Sequence, residues 1–333
     1  MSQNWFISAK YRHPAKLALI TSVLAFVVIL LGAYTRLTDA GLSCPDWPHC
    51  YGYLTAPHTT SQLQSAALNY PLIPVNVKKA WTEMTHRYFA GSEGILILIL
   101  SFSLFFSRKA NDAKAMIIGT ILIGLLTIQV TLGMLTVTEK LKPVIVLSHL
   151  LTGLSLLSVL WWAYLEIQRK SDTILASVKT TRAHRLLLWG ALFVIAAQIT
   201  LGGWVSTHYA GLACIDLPFC NGKLLPTMQW ANVNSDLITI HMMHRIGAMI
   251  TAVYLSFIAV YLFNKPTFRV IAILLFSLLT LQLTLGILNI LWLRPVWLAL
   301  MHHCVAILIL LTIITSLVKA TIMADNRHAK FIP

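Results

Sequence analysis

Charge is what this chain has least of. Only 11% of its 333 residues are Asp, Glu, Lys or Arg, 57% are hydrophobic, and the mean hydropathy is +0.75. A soluble globule carries more polar surface than that, so much of the apolar surface must face lipid. Acid is the scarcer sign, with 11 Asp and Glu beside 25 Lys and Arg. The excess of base is not a nucleic-acid footprint, because cations lodged in short loops between apolar runs report membrane topology. Clustered aspartates able to hold a Mg-bound diphosphate are absent, which sets prenyl transfer aside. No small-residue cleavage site follows the first apolar run, so it reads as a retained span. No Arg-rich, acid-poor transit peptide precedes it, which favours a bacterial inner membrane over a mitochondrial one.

What is there is apolar sequence in long runs. Leu17–Leu37, Ala80–Phe106, Ala115–Val137, Val144–Ile167, Leu186–Val205, Leu237–Phe263, Val270–Leu291 and Val296–Met323 each reach the roughly 20 residues needed to cross about 30 Å of hydrocarbon. Eight spans put both termini on one side. Lys10, Arg12 and Lys16 share that side with Arg108, Lys109 and Lys114, with Arg169, Lys170, Lys179, Arg182 and Arg185, with Lys265 and Arg269, and with the carboxyl tail. The positive-inside rule makes this face cytoplasmic, leaving the loops Thr38–Lys79, Thr138–Pro143, Ser206–Asp236 and Trp292–Pro295 outside.

The chain also repeats itself. Leu31-Gly32 through Ala40-Gly41-Leu42, Cys44, Asp46, Pro48 and Cys50 matches Leu201-Gly202 through Ala210-Gly211-Leu212, Cys214, Asp216, Pro218 and Cys220 at constant offset. His86-Arg87 matches His244-Arg245, Gln129-x-Thr131-Leu132-Gly133 matches Gln282-x-Thr284-Leu285-Gly286, and His149 matches His302, in the same order. The expected fold is therefore an all-α membrane protein whose eight transmembrane helices form two pseudo-symmetric four-helix bundles. Its parts are residues 1–167, a cytoplasmic linker 168–185, and residues 186–333, related by a parallel repeat. The Gln-x-Thr-Leu-Gly pattern recurs at Gln198–Gly202, whereas the first span keeps only Gly32. Close helix packing accounts for that pattern better than a ligand role.

Of the 12 histidines, His13, His184 and His328 fall on the cytoplasmic side and His49, His58 and His208 in external loops. His86, His149, His244 and His302 each stand about six or seven residues inside the external end of a span, roughly 9–10 Å deep at 1.5 Å per residue. Polar groups at that depth are costly unless they face the bundle interior with a partner. A pair of imidazoles from facing helices is the usual axial ligation of a buried low-spin heme, and each half supplies one pair. A single such histidine could equally bond across helices, but four at repeat-related positions favour heme. Zinc would want further ligands close by. His303 is about 100° around the helix from His302, and the repeat selects His302. Arg87 and Arg245 follow two of the histidines and suit either heme propionates or snorkelling to the interface.

The halves differ at one telling place. Glu83 stands three residues before His86 on the same helical face, and His241 stands at the equivalent place before His244. A carboxyl group beside one heme is placed for proton transfer, so one half reads as a substrate site and the other as a permanent cofactor site. Cys44 with Cys50 and Cys214 with Cys220, six positions apart in external loops, read as disulfides, serving as loop staples in preference to thiol redox traffic. Cys304, within the last span, reads as a packing residue.

Over nearly its whole length the chain resembles the heme A synthase family, in the duplicated four-helix bundle, Glu83-x-x-His86-Arg87, His149, His244-Arg245, His302 and the external cysteine pairs. That resemblance implies that the first half, with Glu83, His86 and His149, receives heme O, while His244 and His302 ligate a heme b cofactor. It implies two successive hydroxylations of the heme O methyl group and dehydration of the geminal diol to the formyl group of heme A. Heme O synthase as supplier, an unnamed electron donor and self-association as a homo-oligomer in the bilayer are the partners it brings to mind; nucleic acid is not among them. The rival from another class is a di-heme b-type electron-transfer cytochrome, which places its hemes in both leaflets, whereas here all four ligands are expected at one level. A thiol oxidase or a transporter would leave the histidine pairs without a job.

Overall fold

The computed structural model describes residues 4–106, 113–171 and 180–328. The expected topology markers Arg108, Lys109 and Lys179 lie outside them, and the side chains of Lys10, Arg12, His13, Arg169, Lys170 and His328 lie outside those described. Nine α-helices make up the described chain, and it contains no strand. They are α1 (Asn4–Leu37), α2 (Thr60–Asn69), α3 (Val77–Phe105), α4 (Ala113–Thr138), α5 (Pro143–Ser171), α6 (Arg182–Thr207), α7 (Leu237–Phe263), α8 (Arg269–Leu291) and α9 (Val296–His328).

Eight of these are long and apolar enough to cross a membrane, all but α2. Their sequences form helices in lipid because every main-chain group is then satisfied within the segment. Hydroxyl groups follow the same rule. Thr21, Ser22 and Thr35 of α1 donate to the carbonyls of Leu17, Ala18 and Leu31, one turn back. At the water-facing ends, side chains cap what the helix cannot. Asn76 accepts from Lys79 N–H at the start of α3, Asp236 from Thr239 N–H at α7, and Thr181 from His184 N–H at α6. α2 starts with a capping box between Thr59 and Gln62.

The described residues fall into two compact units, Lys16–Leu160 and one made of the residues up to Ala15 together with those from Trp161 on, so the changes of unit lie within α1 and α5. In the first, α1 meets α3 where Gly32 faces the His86 ring, and α3 meets α4 where Gly119 faces Phe105. α4 meets α5 where Gly133 faces His149, and α5 returns to α1 where Gly153 faces Ile29. In the second, α6 packs on α7, α7 on α8, α8 on α9, and α9 on α6. The last turns of α5 belong to this second unit, where the Trp161 indole donates to Thr315 Oγ1 at 2.9 Å. Each unit is thus a closed circuit of four long helices.

Candidate heme-binding site

The site is built from the outer ends of the helices inward. After α1 the backbone turns at Asp39 (φ 50°) into a loop closed by the Cys44–Cys50 disulfide, and after α6 it turns at Tyr209 (φ 55°) into one closed by Cys214–Cys220. Inside each loop an aspartate holds a pair of left-handed residues. Asp46 accepts from Tyr51 N–H at 2.6 Å and Gly52 N–H at 2.8 Å, and Asp216 from Asn221 N–H at 2.9 Å and Gly222 N–H at 2.8 Å. The Gly222 N–H foremost, aided by that of Asn221, holds the Asp216 carboxyl below the usual carboxylate range. Burial pushes the Tyr51 phenol up, and the charges of Glu83 and Asp46 push the same way.

Both loops are bolted to the helix that carries a His-Arg segment. Cys44 N–H donates to Glu83 Oε2 at 2.9 Å, and Cys214 N–H donates to His241 Nδ1 at 3.2 Å. Glu83 and His241 are both buried, so the two different side chains fill one niche in the two halves. An imidazole nitrogen that accepts carries no proton, so His241 is neutral with its hydrogen on Nε2. The arginines complete the bolt. Arg87 pairs with Glu83 Oε1 at 2.5 Å and donates to the carbonyls of Asp46, Pro48 and His49. Arg245 has no carboxylate there, and donates instead to the carbonyls of Cys214, Asp216 and Phe219.

One turn further in stand the four expected ligands, and each ring lies against a glycine of a neighbouring helix. A Cβ added at Gly32 would meet His86 Cε1 at 3.0 Å, at Gly133 His149 Cε1 at 3.2 Å, at Gly202 His244 Cε1 at 3.1 Å, and at Gly286 His302 Cε1 at 3.2 Å. The glycines of the repeated motif therefore do pack helices closely, and what they pack is the histidines. The motif threonines face outward and bond to their own helix, Thr131 to Thr127, Thr200 to Ala196 and Thr284 to Thr280. His86 lies within electrostatic range of His149, and His244 of His302. Buried Nδ1 atoms of His86, His149 and His302 make no hydrogen bond of normal geometry, and neither does Nε2 of His303. No three His, Cys, Asp or Glu side chains gather as a metal site among the described residues. Paired imidazoles without carboxylate or thiolate neighbours suit an iron already held by four macrocycle nitrogens better than a bare cation.

The sequence did not disclose what the motif glutamines do. Gln198 Nε2 lies 3.0 Å from His244 Nδ1 and donates to the His244 carbonyl at 3.1 Å, and Gln282 Nε2 lies 3.2 Å from His302 Nε2. Gln129 instead faces Gly153. Their recurrence four residues before each glycine, on the same helix face, was the available signal. Glu93, two turns deeper on α3 than His86, is buried, and Thr251 is its repeat counterpart.

A family model described as cytochrome oxidase assembly protein matches residues 15–314. The chain belongs to the cytochrome oxidase assembly protein family. Among curated members, a protein named heme A synthase from Shewanella oneidensis is 41% identical over 89% of this chain and 93% of its own length. Proteins of the same name from Ehrlichia canis (29% identical, 94% of each chain) and Chelativorans sp. (27%, 86% and 85%) are similar over comparable lengths. Membership of this family spans both helix circuits, so both histidine pairs fall inside the matched region.

Proposed function

We propose that this protein is itself a heme A synthase, oxidising the C8 methyl group of heme O to a formyl group by successive hydroxylations. In this reading residues 1–167 receive heme O between His86 and His149. Residues 186–333, beyond the linker 168–185, hold heme b between His244 and His302. The observation that carries it is the shared niche occupied by Glu83 in one half and His241 in the other. Two otherwise matching sites differ in the presence of a carboxylate, as a substrate site and a cofactor site should. Family membership and the relatives' name support the same activity.

The rings fit the group. They are buried against glycines that leave room for nothing larger, and the Nδ1 atoms of His86, His149 and His302 make no hydrogen bond of normal geometry. Heme b bound there supplies one-electron redox chemistry. The chain's own work is to hold and orient. Glu83 keeps or moves a proton at its carboxyl oxygens, with Arg87 and the Cys44 N–H stabilising the ionised form. Arg87 and Arg245 give most of their donors to the disulfide loops, and the buried Nε of Arg245 is a donor left for a propionate. The protein sits in a bacterial inner membrane with both termini cytoplasmic and its heme sites toward the outer face. It draws heme O from heme O synthase and electrons from a separate donor.

Pigment extraction tests the reading. Protein purified from a heme O-producing host should yield heme b together with heme O or its oxidised products on chromatography. Two equivalents of unmodified heme b and nothing else would point to an electron-transfer cytochrome instead. Glu83→Ala should end formyl formation while heme b stays bound, and wild-type turnover in that variant would remove Glu83 from the site.

A further inference from the structure

The turns that join the last two helices of each circuit are alike in backbone and different in charge. Leu293 and Arg294 stand at φ 56° and 58° between α8 and α9, and Lys140 and Leu141 at φ 50° and 57° between α4 and α5. Arg294 N–H donates to the Asn289 carbonyl at 2.7 Å and Leu141 N–H to the Thr136 carbonyl at 2.9 Å, so the two residues are counterparts. Both lie over a repeated glycine. A Cβ added at Gly211 would stand 3.3 Å from Arg294 Cδ and 3.6 Å from its Nη1, and one at Gly41 would stand 3.5 Å from Leu141 Cδ2. A leucine does this packing in the first half, so covering the glycine does not explain a guanidinium in the second.

The charge is also left over. Arg294 is only partly exposed, yet its side chain makes no ion pair and no hydrogen bond among the described residues. Holding a guanidinium partly out of water without an anion is costly. A second unused donor belongs to the same region. Arg245 Nη2 donates at 2.6 Å to the carbonyl of Cys214, three residues along from Gly211, while its buried Nε has no partner. Both arginines therefore stand at the disulfide-loop end of the second histidine pair: Arg245 directly follows His244, and Arg294 lies in the turn from which α9 runs to His302. We infer that Arg294, together with Arg245, anchors the propionates of the heme held between His244 and His302. Heme b carries two carboxylates on one edge, and two guanidinium groups at one end of the site match them in number and sign. Leu141 offers nothing of the kind at the same place in the first half. The inference rests on the assignment of heme b to His244 and His302.

Heme transfer from the detergent-solubilised full-length protein to excess apomyoglobin measures the anchor. Arg294→Leu, which copies the residue the first half already carries, should lose heme b about 10–100-fold faster than wild type, as removal of a charge-assisted hydrogen bond predicts. It should also lower the midpoint potential of the heme, because a nearby cation disfavours the more positive ferric state and that cation is gone. Arg294→Lys keeps the charge and gives up the planar fork, so the potential should return close to wild type and retention should recover in part. Packing alone would not separate these two variants by potential. A wild-type loss rate and potential in Arg294→Leu would overturn this inference alone, and so would a lysine variant that matches the leucine variant in both. A wild-type protein containing no heme b would overturn it together with the assignment on which it rests.

Discussion

At the scale of single residues, the Glu83 and His241 positions separate two jobs that one side chain performs in the first half. Both accept the N–H of the first cysteine of a disulfide loop, so that bond is structural and needs no carboxylate. Only Glu83 adds an ion pair with the following arginine and a group that can exchange a proton. Glu83→His should therefore keep the Cys44–Cys50 loop in place, because His241 already does this in the same setting. Formyl formation should fall by about 100–10,000-fold, the span usually lost with a general acid or base. Chromatography of the extracted hemes measures the product, and limited proteolysis of the loop measures its anchoring. A loop that loosens as product disappears would mean that Glu83 is wholly structural.

At the scale of elements, the long helices were legible because their apolar runs match the thickness of a bilayer. Expected Leu17–Leu37 and Ala80–Phe106 became spans Pro14–Leu37 and Val77–Phe105. The short helix α2 was not legible from hydropathy, since ten mostly polar residues carry no lipid-facing signal; its Thr59 and Gln62 capping box was the trace it left. The glycines were read as packing residues, and so they are, but a one-dimensional pattern does not say which side chain crosses the gap. That matters for their replacement. Gly202→Ala and Gly286→Ala would each press a methyl group to within 3.1 and 3.2 Å of a histidine ring carbon. Each should weaken heme b binding by about 10-fold while leaving helix content by circular dichroism unchanged. Retention equal to wild type would show that the rings have room to spare. The disulfide loops make a separate prediction about pH. The Asp216 carboxyl titrates below its ordinary value of 3.8, so its hold on Asn221 and Gly222 is complete above that value and is lost as pH falls through the depressed one. Protection of those two amides from hydrogen exchange, taken relative to the intrinsic rate at each pH, should be high at neutral pH and fall only below about pH 4; protection already lost at pH 6 would exclude Asp216 as the clamp.

At the scale of the whole molecule, the four candidate histidines stood out because a duplicated chain supplies its own comparison. Four positions that recur in order could be picked from 12 histidines without any coordinates. What the repeat could not convey was how each ring is held, because Gln198 reaches His244 across a helix interface that sequence spacing does not encode. The same duplication constrains topology. On the proposed topology, a parallel repeat puts both disulfide loops on one side of the membrane, and the positive-inside rule makes that side external. Leu224, exposed beside the second loop, and Asn264, exposed between α7 and α8, should then lie on opposite faces. Cysteines introduced singly there report the side, since the loop cysteines are tied up in disulfides and Cys304 lies within a span. In spheroplasts a membrane-impermeant maleimide should label Leu224→Cys at once and Asn264→Cys only after lysis. The opposite order would turn the molecule over, moving the disulfides into a reducing compartment where they would not persist.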